Sequence, residues 1–390
     1  MIELESYLES FDEEPGYLDW AAFGPLSPSV QDESRADAEL LSSGRRSGID
    51  LVADRANEAR TLVAELLDAV VDEVTLQPST TYGLMHALFG LSGDVLIAPD
   101  EFPALTVTAR RAQDALGRLR VRDLDAAGGF VTADAVRDAL REESDPGAVT
   151  AVAVSLVDYR TGHVADLAAL RDVIGDRLLL VDAIQGFGVV DADYSAADVV
   201  CGNGYKWLRA GRGTGFARFS ERARDRIEPV LSGFAGMDAE LGAPGVAAPR
   251  PGAGAFAVSG PDALAAARLA AATREIRDAG VAGIASEVAD RARHVMALAD
   301  RYELPVLTPR DSHAGIVALA PEPQDAGPLA AALANHGVTA TARGGLVRVS
   351  AHAGTGADSL QLLGDALAEV SAHRIPRLHA GTSEIAVVEN

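Results

Sequence analysis

The chain has 390 residues, 48% hydrophobic and 23% charged, the proportions of a globular protein and not of a disordered one. Its 34 basic and 57 acidic residues leave a net charge of −23, which argues against a basic nucleic-acid-binding face and against docking on an anionic membrane. A single cysteine, Cys201, excludes an intrachain disulfide framework and any cysteine-based metal cluster, so no metal is expected.

In chain order, residues 1–40 read as an N-terminal arm, in which Gly24-Pro25-Leu26-Ser27-Pro28 cannot be helical throughout because each proline restrains the residue before it. A helix is predicted over 50–70, with Val52, Ala56, Ala59, Val63, Leu66 and Leu67 at helical spacing. From about 74 to 220, short apolar runs at 95–98, 119–121, 149–156, 178–181 and 198–201 alternate with predicted helices at 82–91, 103–117, 132–141 and 166–174. Strands buried on both faces and alternating with helices predict an α/β fold with a mainly parallel sheet. The Gly/Ala/Pro-rich stretch 236–260 reads as a connection that closes a large domain at 41–235. Residues 261–375 begin with an Ala-rich helical stretch and then read strand, helix, strand, helix, which suits a smaller α+β C-terminal domain, and 376–390 is a tail. The acidic N-terminus lacks the basic start of a signal peptide, and no run of 18 apolar residues exists, so a cytoplasmic location is expected.

The basic residues are 33 arginines and one lysine, Lys206. A chain that uses arginine wherever a plain positive charge suffices, yet keeps one lysine, points to a position that needs an amine able to lose its proton. Lys206 sits just beyond an apolar strand and a Gly-punctuated turn, Cys201-Gly202-Asn203-Gly204-Tyr205, at a strand end where α/β sheets bind ligands. An amine there can form a Schiff base with a carbonyl group. Asp182 closes the apolar run Leu178-Leu179-Leu180-Val181 and needs a partner for its burial; a helix N-cap or turn aspartate is the alternative reading. Ser79-Thr80-Thr81 opens a helix, where hydroxyls and free N–H groups suit a phosphate, although read alone such a start is usually only a cap.

Taken in order, the hydroxyl-rich helix start, Glu101-Phe102-Pro103, Asp158-Tyr159-Arg160-Thr161-Gly162, Asp182 with Gln185, and Tyr205-Lys206-Trp207 resemble the class V aminotransferase branch of fold-type-I pyridoxal-phosphate enzymes. That branch includes cysteine desulfurases, kynureninases and isopenicillin-N-epimerase-like proteins, and the resemblance covers roughly residues 15–370. It implies pyridoxal 5'-phosphate held by Lys206, with Asp182 keeping the pyridine nitrogen protonated, both catalytic. It further implies that Gln185 bonds the ring hydroxyl, that Phe102 stacks on the ring, and that Thr80, Thr81, Asn203 and Tyr205 hold the phosphate. Thr214 would reach a neighbouring subunit's phosphate in a homodimer with the site at the interface, and Arg348 would bind the substrate carboxylate.

The resemblance implies an enzyme acting on an amino-acid-like substrate, with transamination as the leading reaction. C–S or other β-elimination, epimerisation and kynureninase-like cleavage are the alternatives. A non-catalytic protein that keeps the fold, and a lysine aldolase without the cofactor, are the readings from other classes. Desulfurases carry a catalytic cysteine shortly before the carboxylate arginine; residues 320–347 contain none here, which disfavours persulfide chemistry and leaves Cys201 as a small buried residue. Phe256-Ala257-Val258-Ser259-Gly260 and Ser350-Ala351-His352 also depart from the family pattern and are expected to face the substrate.

Overall fold

The computed structural model describes residues 3–126, 128–142, 147–240, 242 and 245–380, with side chains to 372. The chain opens with α1 (Leu4–Glu9), α2 (Pro28–Ser42), α3 (Arg46–Ala53) and α4 (Arg55–Leu66). The α/β region follows as β1 (Val74–Gln77), α5 (Thr80–Gly90), β2 (Gly93–Ile97), α6 (Pro103–Leu116), β3 (Leu119–Asp123), α7 (Ala133–Arg141), β4 (Val149–Ser155), α8 (Leu167–Ile174), β5 (Leu178–Asp182), β6 (Val199–Asn203), β7 (Gly215–Phe219) and α9 (Glu221–Arg226). The remainder is α10 (Ala263–Ala279), α11 (Val281–Arg301), β8 (Ile316–Leu319), α12 (Pro323–Asn335), β9 (Thr341–Arg343), β10 (Leu346–Ser350) and α13 (Ala357–Ala380). The last ten residues of the expected tail, 381–390, lie outside the described residues.

Seven strands form one sheet in the order β1-β7-β6-β5-β4-β2-β3. It is parallel except that β7 runs against both its neighbours, β1 and β6. This is the mainly parallel α/β fold expected from the apolar runs, and β5 shows why: all five of its residues are buried, so both faces need apolar side chains. A second sheet, β8-β10-β9, is antiparallel and is covered by α11, α12 and α13 as a smaller α+β unit. Helix α10 packs against α2 and α4. Among the described residues no helix is long and apolar enough to cross a membrane.

Two strands escape the apolar-run reading. β1 is only four residues long, and β7 carries Arg218 in a buried position. That arginine is balanced by Glu73 at 2.8 Å and by the carbonyls of Tyr194 and Ala197. The helix expected over 50–70 is two helices that meet at Asp54, which ends α3 and begins α4.

Two local features hold the sheet ends in place. Gly83 on α5 lies so close to the sheet that a Cβ there would stand 2.8 Å from Cys201 Sγ, so the helix start is pressed onto β6. Asp198, buried just before β6, accepts from Leu179 N–H at 2.8 Å, from Arg171 at 2.5 Å and from Arg222 at 2.7 Å. Removing one partner of such a buried charge costs about 3–5 kcal/mol.

Candidate functional site

The parallel strands end in a row of polar residues: Ser155 on β4 is level with Asp182 on β5, and Asp182 with Cys201 on β6. Further along, Asn203, Gly215 and Gln77 are level across β6, β7 and β1. The turn after β6 carries Lys206 over this edge, and a cleft of about 450 Å³ opens above it. Phe102, Gln185, Tyr205, Lys206 and Arg348 line the cleft, so five expected site residues from separate parts of the chain meet there.

Lys206 is 5% exposed. Burial pulls its ammonium down to about 8; Asp182 opposes this, while Arg348 and Arg212 add to it. Its Nζ lies 5.8 Å from the centre of the Phe102 ring and 5.5 Å from that of Tyr205. Phe102 meets Tyr159 edge-on at 5.1 Å and keeps 37% of its surface exposed toward the opening. Asp182 lies beneath the cleft, fully buried. Burial pushes its carboxyl up to about 6, against the Ile184 N–H bond at 3.0 Å and the charge of Lys206.

Gln185 is clamped at both ends of its amide: Trp207 Nε1 donates to its Oε1 at 2.8 Å, and its Nε2 donates to the Ala21 carbonyl at 3.0 Å. Arg348 donates to the Tyr159 carbonyl at 3.1 Å and pairs with Asp19 at 3.4 Å, while its buried Nε has no partner.

The expected phosphate residues sit around the start of α5 and the lysine turn; of them only Tyr205 lines the cleft, while Thr80, Thr81 and Asn203 do not. The Thr80 hydroxyl is buried without a hydrogen-bond partner, as an anion donor in waiting would be. Thr81 points out from the first turn of α5 and is exposed. Asn203 Oδ1 accepts from Tyr205 N–H at 3.1 Å and so shapes the lysine turn. Thr214, expected to reach a neighbouring subunit, is 1% exposed, and its hydroxyl is engaged within its own chain. It donates to the Gly211 carbonyl at 2.6 Å and accepts from Gly204 N–H at 3.1 Å.

Two expectations about substrate-facing segments are corrected. Phe256 is buried, stacked on Phe219 at 3.9 Å. His352 is buried among Phe11, Trp20 and Trp207, with Nε2 bonded to the Trp207 carbonyl at 2.7 Å, and burial drives its pKa down to about 3. Neither lines the cleft. Cys201 is buried against α5, and burial pushes its thiol well up, the environment of an inert packing residue.

The cleft also contains residues to which the sequence reading gave no role. Ala21 and Ala22 come from the N-terminal segment, which lies along β10 through Ser350 N–H to the Leu18 carbonyl at 2.7 Å and Ala21 N–H to Ser350 Oγ at 2.9 Å. Tyr159 and Arg160 follow β4, and Thr341, Arg343, Gly344 and Leu346 come from the β9–β10 ribbon. The resemblance passed through Tyr159 and Arg160, the one signal that could have found them.

No family model matches the chain. Over 261 residues it is 31% identical to the kynureninase of Deinococcus radiodurans, an alignment covering 63% of this chain and 61% of that protein. It is 28% identical over 229 residues to a protein of Methanothermobacter thermautotrophicus named probable cysteine desulfurase, covering 56% of each. The chain thus spans well under two thirds of the length of these curated relatives. Among solved structures, it overlays the cystine C–S lyase C-DES in complex with its product cysteine persulfide, with a TM-score of 0.81 over 92% of this chain and 97% of that one, at 18% identity. The fold is that of the class V branch of the fold-type-I enzymes. Within the class V fold, Asp182, Lys206 and Arg348 occupy the end of β5, the turn after β6 and the ribbon of the smaller sheet.

Proposed function

We propose that this chain is a pyridoxal-phosphate enzyme that breaks a C–S bond at Cβ of an amino-acid substrate. The observation that carries the reading is the convergence of the chain's one lysine, buried with its pKa drawn down, on a buried strand-end aspartate. The residues present fit the cofactor. Thr80 offers an unpartnered buried hydroxyl at a helix start, Asp182 a carboxyl inside the edge of the sheet, and Gln185 an amide already oriented.

Lys206 would hold the cofactor through its amine. Thr80, Thr81, Asn203 and Tyr205 would surround the phosphate, and Thr214 would act indirectly by fixing the turn. Phe102 would lie on the ring, Gln185 would donate to its hydroxyl, and Asp182 would hold a proton on its nitrogen. Bound there, the cofactor supplies an electron sink for the carbon next to the substrate's amino group. Arg348 would hold the substrate carboxylate and orient that carbon toward Lys206 Nζ, the group placed to remove and return its proton.

The expectation of transamination as the leading reaction gives way to elimination. Of the proteins named above, one is named a probable cysteine desulfurase and the overlaid structure a cystine C–S lyase, names that support C–S cleavage. Cys201 is too buried to accept sulfur, so the leaving sulfur would depart with a proton and not on an enzyme thiol. We also propose a homodimer through the edge where Tyr82, Phe234 and Val258 are exposed, tested by sedimentation.

Incubation with pyridoxal phosphate, borohydride reduction and peptide mapping test the site: an adduct on Lys206 is expected, and an unmodified Lys206 overturns the reading. Release of pyruvate and ammonia from L-cystine without an added oxo acid supports elimination. Turnover that requires an oxo acid acceptor supports transamination instead. Cofactor bound at Lys206 with no turnover of any amino acid would make the protein a non-catalytic binder.

A further inference from the structure

We propose that Arg343 makes the cleft selective for substrates carrying a second anionic group beyond Cβ. The inference rests on the amino-acid reading above for its first anion, the α-carboxylate, and on the β9–β10 ribbon for its second.

The ribbon register pairs Arg348 with Thr341 and Leu346 with Arg343. Residues directly opposite each other in an antiparallel pair share a face, as do residues two apart along a strand. Thr341, Arg343, Leu346 and Arg348 therefore form one face of the ribbon, and all four line the cleft. Arg343 and Arg348 are diagonal neighbours on it, with stems roughly 7–8 Å apart. Past Arg343 the chain turns through Gly344 and Gly345 at φ +60° and +81°, a left-handed bend that glycine adopts without strain, so the ribbon tip doubles back tightly at the opening.

The cleft's three arginines are not equivalent. Arg348 is tied to Asp19 and to the Tyr159 carbonyl. Arg160 is tied to Asp100 at 2.9 Å, to Asp158 at 3.2 Å and to the Gly129 carbonyl. The Arg343 guanidinium has no hydrogen bond or ion pair among the described residues, its backbone alone being engaged in the ribbon opposite Leu346. In a chain with 57 acidic residues, the structure sets none of the described ones against it. A guanidinium left unpaired at the mouth of a cleft, beside a second guanidinium on the same face, suits a ligand with two carboxylates a few bonds apart, each taken by a planar fork.

Calorimetry with two unreactive probes tests this. Glutarate and valerate both have five carbons and differ in the distal carboxylate, and neither has an amine to react with the cofactor. With the cofactor-loaded protein, glutarate is expected to bind at least about tenfold tighter than valerate, within the usual range for a hydrogen bond to a charged group. Arg343→Gln should remove that preference while leaving valerate unchanged, Arg343→Lys should keep part of it, and Arg348→Ala should weaken both probes. Equal affinities in the unaltered protein, no binding of either probe, or a preference that survives Arg343→Gln overturns the proposal. Because the readout needs no bond to Lys206, the same titration is run on the protein without cofactor: a glutarate preference there, in a protein that never forms the Lys206 adduct, would sink the cofactor reading and leave the role of Arg343 standing.

Discussion

Trp207 Nε1 donates to Gln185 Oε1 at 2.8 Å, and that bond fixes what the Gln185 amide offers the cleft. An indole N–H only donates and the Ala21 carbonyl only accepts, so the amide oxygen faces Trp207 and one of its N–H groups faces Ala21. The remaining N–H is the amide's free donor, suited to an oxyanion. A double-mutant cycle with Trp207→Phe and Gln185→Leu should give a coupling of roughly 1 kcal/mol in urea unfolding. Trp207→Phe alone should weaken pyridoxal phosphate binding. A cycle closing at zero would remove Trp207 from this role.

The amine of Lys206 should show its environment in its reaction with pyridoxal phosphate. Burial lowers its pKa to about 8, so the association rate should rise about tenfold per pH unit below that value and level off above it. The Asp182 charge favours the ammonium, so Asp182→Asn should move the midpoint down. The charges of Arg348 and Arg212 disfavour it, so Arg348→Ala or Arg212→Ala should move it up. Stopped-flow mixing at fixed ionic strength reads all four; a midpoint near 10 in the unaltered protein would refute the buried amine.

Glu101 supplies a stability prediction of definite sign. Its carboxylate accepts from Ser155 N–H at 2.9 Å and from Ser155 Oγ at 2.5 Å, yet burial, helped by Asp158 and Asp182, raises its pKa from 4.5 to about 7. A group raised in the fold contributes its full stability below its unfolded pKa and loses it as pH climbs through the folded value. The cofactor-free protein should therefore lose stability between about pH 4.5 and 7, with Asp182, raised to about 6, acting in the same direction. Glu101→Gln should flatten part of this slope and be the more stable form at pH 8, by on the order of 3 kcal/mol at most. Urea unfolding at pH 5 and pH 8 decides it, and parallel slopes in the two proteins would count against it.

Gly24 couples the N-terminal segment to the lysine turn. Its N–H donates to the Tyr205 carbonyl at 2.9 Å, and a Cβ at this position would stand 1.9 Å from the Lys206 carbonyl oxygen. Gly24→Ala must push these backbones apart and shift Ala21 and Ala22 in the cleft wall. We expect roughly 1–3 kcal/mol of lost stability and at least about tenfold weaker pyridoxal phosphate binding. Gly356→Ala, where a Cβ would meet nothing, is the control that should change neither. Normal cofactor binding in Gly24→Ala would show that the N-terminal segment does not shape the site.

The sheet was legible because burial on both faces writes itself as uninterrupted apolar runs, and β5 needs no other signal. Lys206 was legible because a chain with 33 arginines makes one lysine conspicuous. β7 was hidden by Arg218, whose charge is neutralised by Glu73, a residue 145 positions away, so no local pattern reveals it. Asp19, Ala21 and Arg343 stayed silent for the same reason: each reaches the cleft through pairing between distant segments. His352 misled in the other direction. A histidine close to an expected carboxylate arginine invites a substrate role, but the aromatic residues that bury it come from the N-terminal segment and the lysine turn.

The pairing of residues 18–21 with β10 joins segments 329 positions apart, as the bond from Ala21 to Ser350 measures. On the ribosome, this wall of the cleft cannot exist until Ser350 has left the exit tunnel, long after the lysine turn has been made. Lys206 therefore spends most of the synthesis that follows it with one side uncovered. The contact that encloses it is among the longest loop closures in the chain, a class of contact that forms late in folding.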